Sequence, residues 1–312
     1  MSVKLSALHP RFEEAQRARI FSELLPRVAE LARLGAERNV AITIDAEESE
    51  RLELTLDLVD DLSARFPIGL AVQAYQRRAL AVCDWLIGLR REMSIRLVKG
   101  AYWDCEIKRA QQLGMPDYPV FTRKTATDVS YVACATRLLS APAALYPAFA
   151  THNCRTVATI LERAGDRPFE FQKLFGMGDA LYEALLQERA VRCRVYAPVG
   201  AFTELLPYLV RRLLENGANS SFVHQIADPA VPLETLIADP VEALPEPYTP
   251  DPRIPLPRNL YTDRLNALGL DLARRDVLDD LHQRIVGDRQ RPMLPPTAPS
   301  LQSQVGKAAE AF

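Results

Sequence analysis

This chain of 312 residues alternates short β-type runs with longer amphipathic segments, and that alternation narrows its fold more than any other property. Such alternation is the pattern of a parallel sheet covered by helices. We count seven strand candidates: Val3–Leu8, Ala41–Asp45, Gly69–Gln73, Ile95–Lys99, Ala148–Thr151, Phe169–Gln172 and Arg192–Ala197. Because single α/β barrels commonly have this length, we predict one large barrel-like domain with an extension.

The segments between the strand candidates predict helices, because apolar residues recur in them at helical spacing. The predicted helices are Phe12–Arg38, Ser49–Arg65, Gln76–Arg91, Tyr102–Leu113, Thr125–Leu139, Arg155–Ala164, Asp179–Arg189, Thr203–Asn216 and Tyr261–Arg284. Nine prolines between Pro229 and Pro257 argue against a sheet there and indicate a wrapping or linking segment. The tail from Pro292 onward is predicted to be weakly ordered.

The predicted helix Thr203–Asn216 has two chemically different sides, with Thr203 suited to its N-cap. One side is apolar and carries Leu206, Leu209, Val210 and Leu213. The opposite stripe carries, at i, i+3, i+4 and i+7, the residues Tyr208, Arg211, Arg212 and Glu215. A solvated surface is the plain alternative, but two adjacent arginines can also clamp a carboxylate or a phosphate. Because the helix follows a strand and the stripe includes a tyrosine, we predict an anion-binding role.

Polar side chains stand at the ends of most predicted strands, where closed α/β barrels build their active sites. They are Lys4, Ser6, Asp45, Gln73, Arg96, Lys99, His152, Asn153, Gln172 and Tyr196. The four histidines lack paired ligand spacing, so no metal site is predicted. His152 remains open as a general base or as a hydrogen-bonding fixture. No Walker loop or GxGxxG follows a strand, so a nucleotide cofactor would be held without the dinucleotide fingerprint.

The composition excludes several classes of protein. A net charge of −2 and a pI of about 6.2 provide no global field for nucleic acid or an anionic membrane. The five cysteines are scattered singly, which predicts a reduced, cytoplasmic setting. The sequence has no signal peptide and no apolar run of membrane-spanning length. Any acidic ligand must therefore be held by local cations.

Several motifs resemble the proline dehydrogenase domain of the bifunctional proline utilization A flavoenzymes. In chain order they are SVKLSALHPRF, ITIDAEESERLE, VQAYQ, RLVKGAYWDCEIKRAQ, YPVFTRKTATDVSYVACA, FATHN, FEFQKLFGMGD, RVYAPVG and YLVRRLLENGANSSFV. The likeness runs from about Val3 to Arg258. PRNLYTDRLNALGLDLA also resembles the connector that leads to an aldehyde dehydrogenase half, which this sequence does not include.

The resemblance implies a distorted (β/α)8 barrel that binds FAD non-covalently and oxidises L-proline to pyrroline-5-carboxylate. A quinone would then accept the electrons, and peripheral membrane contact in longer proteins stays open. We predict a barrel over residues 1–226, a Pro-rich linker over 227–258, and a terminal helix and tail over 259–312. No role with nucleic acid is implied.

The resemblance also implies roles for individual residues. Arg96 would lie beside flavin N5, and Asp45 would order Lys4 or the arginine clamp. The substrate-binding set would be Lys4, Asp45, Tyr102, Leu174, Tyr196, Tyr208, Arg211 and Arg212. The flavin-binding set would be Gln73, Arg96, Val98, Lys99, Gly100, Ala101, Trp103, Thr122, Lys124, His152, Asn153, Gln172, Glu215 and Phe222.

One departure from the family pattern affects the predicted fold. The family barrel has an additional strand before the stretch that begins here at Ser2, so we expect an unpaired edge between Val3–Leu8 and Arg192–Ala197. Two other functions compete with proline oxidation. One is a barrel lyase with Lys4 or Lys99 as an imine-forming nucleophile. The other is a catalytically silent fragment without flavin.

Overall fold

Seven parallel strands form one sheet in which every strand pairs with its neighbours in chain order. The computed structural model describes residues 1–217 and 230–289. The strands are β1 (Ser2–Val3), β2 (Thr43–Ile44), β3 (Gly69–Gln73), β4 (Met93–Val98), β5 (Leu145–Ala150), β6 (Glu170–Leu174) and β7 (Arg192–Tyr196). The predicted number of strands and their parallel arrangement are therefore confirmed.

Helices connect the strands and return the chain to the same end of the sheet. They are α1 (Leu5–Leu8), α2 (Arg17–Arg19), α3 (Leu25–Glu37), α4 (Leu52–Ser63), α5 (Ala79–Gly88), α6 (Trp103–Gln112), α7 (Lys124–Leu139), α8 (Cys154–Ala164), α9 (Asp179–Glu188), α10 (Phe202–Gly217), α11 (Leu233–Ile237) and α12 (Arg275–Arg289). Helix α10 begins one residue before Thr203, which therefore lies in its first turn and not at the N-cap. In the described part of the chain, no helix has both the length and the apolar composition of a bilayer span.

Two predicted elements near the N-terminus were wrong in detail. The strand predicted over Val3–Leu8 ends at Val3, and the chain turns into α1. The helix predicted over Phe12–Arg38 is broken by a π-helical turn at Ile20–Leu24, immediately before α3. Pro26 explains the break, because it has no amide proton and its ring clashes with the carbonyl one turn earlier.

The two faces of the sheet differ in polarity because side chains alternate along each strand. The outward set packs against the helices and forms the main core: Ile44, Leu70, Val72, Ile95, Leu97, Phe149 and Phe171. The alternate positions carry polar or small residues: Ser2, Asp45, Gly69, Ala71, Gln73, Ser94, Arg96, Ala148, Glu170 and Gln172. Barrel interiors are usually filled by branched aliphatic residues. Here the apolar core lies between the sheet and the helices, and the inner face is left to polar chemistry.

The sheet is open between its two end strands. Among the described residues, β1 and β7 each pair on one side only, with β2 and β6 respectively. Strand β7 is correspondingly exposed, with Val195 retaining 49% of its accessible surface. The expected unpaired edge is confirmed, and the sheet is a curled half-barrel rather than a closed cylinder.

The stretch before α12, residues 249–274, runs along α6 and is here called the C-terminal strap. The amide of Gly269 donates to the carbonyl of Gly114 at 3.1 Å. A Cβ on Gly269 would lie 1.9 Å from the Leu113 carbonyl oxygen, so only glycine permits this approach. This docking is why the helix predicted from Tyr261 begins only at Arg275. The strap's amides bond to other segments, as in Asn266 N–H to the Arg258 carbonyl, and do not form helical turns.

Candidate active site

Arg96 is the centre of the polar inner face, and its contacts reach three other strands. Its Nη2 donates to Asp45 Oδ1 at 2.7 Å, and its Nη1 donates to Ser2 Oγ at 3.1 Å. Its guanidinium carbon lies 5.6 Å from the ring centroid of Tyr196 on β7. We call Ser2, Asp45, Arg96 and Tyr196 the Arg96 cluster. One cation and one carboxylate balance there, and the Arg96 side chain is only 10% exposed.

Lys4 and Tyr102 form a second contact at this end of the sheet. The Lys4 ammonium donates to the Tyr102 hydroxyl at 2.7 Å and lies 5.4 Å from the centroid of that ring. Partial burial lowers the pKa of Lys4. The hydrogen bond with Tyr102 and the charges of Asp45 and Glu47 outweigh burial, so the pKa is raised. The amine therefore stays protonated at neutral pH and can bind a carboxylate.

The loop after β4 is shaped by close contacts with the loop after β3. Gln73 Nε2 donates to the Glu47 carbonyl at 2.8 Å, and its Oε1 accepts from the Ala101 amide at 3.3 Å. Gly100 has φ of +144°, and a Cβ there would lie 2.4 Å from the Tyr75 ring. Only glycine fits this position. The structure thus joins Gln73 to the loop that contains Gly100 and Ala101.

Two lysines share one carboxylate beyond this loop. Lys99 Nζ contacts Asp128 Oδ1, and Lys124 Nζ lies 3.6 Å from Asp128 Oδ2. We call Lys99 and Lys124 the lysine pair. Burial and the nearby Lys124 charge lower the pKa of Lys99, and Asp128 partly counteracts them. Two cations with one acid leave an excess positive charge, which suits an anionic ligand.

The next strand ends bring together another group of predicted residues. His152 Nε2 accepts from the Leu174 amide at 3.2 Å, so these two neighbours are in direct contact. The Asn153 side chain accepts from the Thr156 amide at 2.9 Å and caps α8. Gln172 Nε2 donates to Glu170 Oε1 at 2.7 Å. The cap role of Asn153 and the contact of His152 both fit the hydrogen-bonding interpretation, and their flavin roles stay predictions.

Thr122 and Trp103 contact other parts of the chain. Thr122 Oγ1 accepts from the Asp251 amide in the C-terminal strap at 2.9 Å. Trp103 Nε1 donates to the Phe121 carbonyl at 2.8 Å. Both contacts hold the segment that precedes Lys124. Their predicted contact with flavin stays a prediction.

Helix α10 is described along its backbone, and Tyr208 on it is partly buried. The side chains of Arg211, Arg212 and Glu215, and the whole of Phe222, lie outside the described residues. The arginine clamp therefore stays a prediction. The apolar side of the helix is exposed, with fractions of 46%, 42%, 46% and 72% for Leu206, Leu209, Val210 and Leu213.

Sequence reasoning missed acidic residues that hold the predicted ones. Asp128 joins the lysine pair, and its i, i+4 spacing from Lys124 was a readable signal. Glu170 is 4% exposed and accepts from Arg194 Nε and Nη2 at 2.8 and 2.9 Å. It lies two positions before Gln172, on the same face of β6. Strand periodicity could therefore have identified Glu170.

Together, the fold and the polar strand ends define an α/β-barrel enzyme of the kind whose ligands bind at the carboxyl end of the sheet. A family model described as proline dehydrogenase matches residues 1–225. The bifunctional protein PutA of Salmonella typhimurium is 49% identical over 92% of this chain, and that of Escherichia coli is 50% identical over 92%. A crystal structure of a PutA variant from Bradyrhizobium japonicum covers 91% of this chain and 31% of its own, with 50% identity and a TM-score of 0.87.

This chain belongs to the proline dehydrogenase family. It spans 24% of the length of the Salmonella and Escherichia coli relatives.

Proposed function

We propose that this chain oxidises L-proline to 1-pyrroline-5-carboxylate with a bound FAD, and that a quinone receives the electrons. The observation that carries the proposal is the convergence of two cations, Lys4 and Arg96, at one end of a barrel sheet of the proline dehydrogenase family. Lys4 can bind a carboxylate while Arg96 is already neutralised by Asp45. An amino acid substrate needs that division of roles.

The residues present fit a flavin dinucleotide. Gly69, Ala71 and Ala148 are small and lie on the inner face, which leaves room for a planar ring. The lysine pair has more positive charge than Asp128 neutralises, as a diphosphate requires. Gly100 permits close approach of the backbone of the loop after β4. When bound, the flavin supplies the hydride acceptor.

The chain's own residues would orient the substrate. Lys4, together with Arg211 and Arg212 from α10, would bind its carboxylate. Four further residues would form the walls around the ring: Tyr102, Leu174, Tyr196 and Tyr208. Fixing the carboxylate at several points orients the reacting C–H bond, and orientation of this kind can supply about 7–11 kcal/mol of a barrier. Arg96 would place positive charge where negative charge develops.

The test is the flavin spectrum of the purified chain before and after anaerobic addition of L-proline. We expect flavin absorbance that is bleached by proline. Arg212→Met should raise the apparent KM by about 10-fold to 100-fold, because a charged hydrogen bond contributes about 1.5–3 kcal/mol. Flavin content should stay unchanged. An unaltered KM would contradict the clamp, and a colourless protein would support the silent fragment instead.

One observation bears on the lyase alternative. An imine-forming lysine needs a lowered pKa. Lys4 has a raised pKa, whereas burial lowers that of Lys99. Lys99 is therefore the better candidate of the two, although Asp128 contacts its amine. Borohydride trapping with a carbonyl substrate would modify Lys99 if the lyase were correct, and we expect no modification.

A further inference from the structure

Glu106 on α6 is a buried acid outside the contacts described above. It is 2% exposed. Its Oε1 accepts from the Ser49 amide at 2.6 Å and from the Tyr75 hydroxyl at 3.4 Å, and its Oε2 accepts from Ser49 Oγ at 2.5 Å. The neighbouring Arg109 contacts Glu50 through its Nε. Burying a carboxylate among neutral donors is costly, so its partners deserve a functional explanation.

The partners of Glu106 belong to two other segments that follow strands. Ser49 comes four residues after Asp45, and Tyr75 comes two residues after Gln73. Glu106 itself comes four residues after Tyr102. One carboxylate therefore ties together three segments, and each of them carries a residue of the candidate site.

Tyr75 transmits this connection to the loop after β4. Its amide donates to the Lys99 carbonyl at 2.8 Å, and its carbonyl accepts from the Phe121 amide at 2.9 Å. Its ring fills the space where any side chain at Gly100 would lie. The position of Tyr75 thus sets the path of the backbone that leads to Tyr102.

We propose that Glu106 is a positioning residue that, through Ser49 and Tyr75, sets the Tyr102 hydroxyl against the Lys4 ammonium. The inference rests on the proposed function, because Lys4 is there the ligand of the substrate carboxylate. Glu106 acts through its hydrogen bonds, not through its charge. A glutamine at 106 can keep the same contacts: its oxygen accepts from the Ser49 amide and Tyr75, and its amide donates to Ser49 Oγ.

The experiment compares Glu106→Gln, Glu106→Met and the control Glu162→Met, which changes an exposed glutamate of α8. Kinetics with L-proline give KM and kcat separately. Amide hydrogen exchange measured by mass spectrometry follows residues 45–49 and 99–103 without any substrate. Because Glu106→Met leaves buried donors unpaired and can reduce folding yield, Ser49→Ala is a milder second variant that removes only the hydroxyl donor.

We expect Glu106→Met to raise the KM for proline by about tenfold or more with kcat changed less than about threefold, because small displacements of a binding group can cost up to about 100-fold. Exchange should rise in both segments. Glu106→Gln and Glu162→Met should match the wild type, and Ser49→Ala should lie between. A merely structural role would not separate KM from kcat.

Three outcomes would overturn the inference: unchanged exchange in Glu106→Met, faster exchange with unchanged KM, or Glu106→Gln as impaired as Glu106→Met. A wild-type chain that does not oxidise proline would refute the proposed function instead. In that case the exchange measurement still decides whether Glu106 holds the two segments.

Discussion

The Arg96 cluster and the lysine pair lie at the same end of one sheet but balance their charges differently. Arg96 has one carboxylate, Asp45, at 2.7 Å, and is held by strands on both sides of it. Lys99 and Lys124 have one carboxylate between them. A neutralised, desolvated cation suits fixed orientation of charge, and an excess of cations suits retention of an anion. The difference assigns chemistry to the first region and cofactor retention to the second.

The largest effect is expected from removing the balanced cation. Arg96→Met should lower the rate of flavin reduction by about 10²-fold to 10³-fold, because a preorganised charge is lost and Asp45 is left unpaired. Stopped-flow absorbance after mixing with proline measures this rate. The exposed Arg65→Met, at the end of α4, serves as the control and should behave like the wild type. A reduction rate within about twofold of the wild type would remove Arg96 from the chemistry.

Lys4 sharpens the comparison, because it belongs to the Arg96 side but should affect binding. Lys4→Met should raise the KM for proline by about 10-fold to 100-fold, as expected for a lost charged hydrogen bond. The reduction rate at saturating proline should change much less. Lys108→Met, an exposed lysine of α6, is the matched control. Equal losses in KM and in reduction rate would place Lys4 with Arg96 in the chemical step.

The lysine pair should respond in cofactor affinity rather than in rate. Lys99→Met should weaken FAD binding by about tenfold or more, because a buried cation has no competing water. Lys124→Met, whose side chain is 53% exposed, should weaken it less. Titration of the apoprotein with FAD, followed by flavin fluorescence, measures both. If Lys99→Met retained full affinity but lost activity, the division between the two regions would fail.

The smallest effect concerns Glu170 and its dependence on pH. Burial raises its pKa, but the bonds from Arg194 and Gln172 lower it more, so the pKa is below the usual range. A depressed carboxyl pKa contributes stability above the ordinary glutamate pKa and loses it as pH falls. Glu170→Gln should therefore cost about 1 kcal/mol at pH 7 and less near pH 4.

Urea unfolding at both pH values measures this change, with Glu183→Gln on the exposed side of α9 as control. A cost that is the same at pH 4 and at pH 7 would show that the charge of Glu170 does not contribute.

Sequence predicted the sheet well because its strands carry strong local signals. Gly69–Gln73 was predicted with the bounds that the structure shows, and the other strands from β2 to β7 were within about three residues. The errors arose where distant contacts decide the local structure. The strap after Tyr261 reads as helix by periodicity, yet its amides bond to residues far away in the chain.

The site shows the same limit. Motif likeness identified Arg96, Lys4 and Lys99, but not the acids that hold them. Glu106 and Glu170 look like ordinary surface glutamates in the sequence, and only folding brings Ser49 or Arg194 to them. Burial is a property of the packed chain, and a single sequence does not encode it locally.

The one-sided core has a consequence for the evolution and redesign of this scaffold. Residues such as Leu70, Ile95 and Phe149 stabilise the fold from behind the sheet, while the side chains that meet a ligand occupy the alternate positions. Selection can therefore rewrite the lining, one strand end at a time, without dismantling what keeps the protein folded. New substrates become accessible by exchanging lining residues on a foundation that need not change.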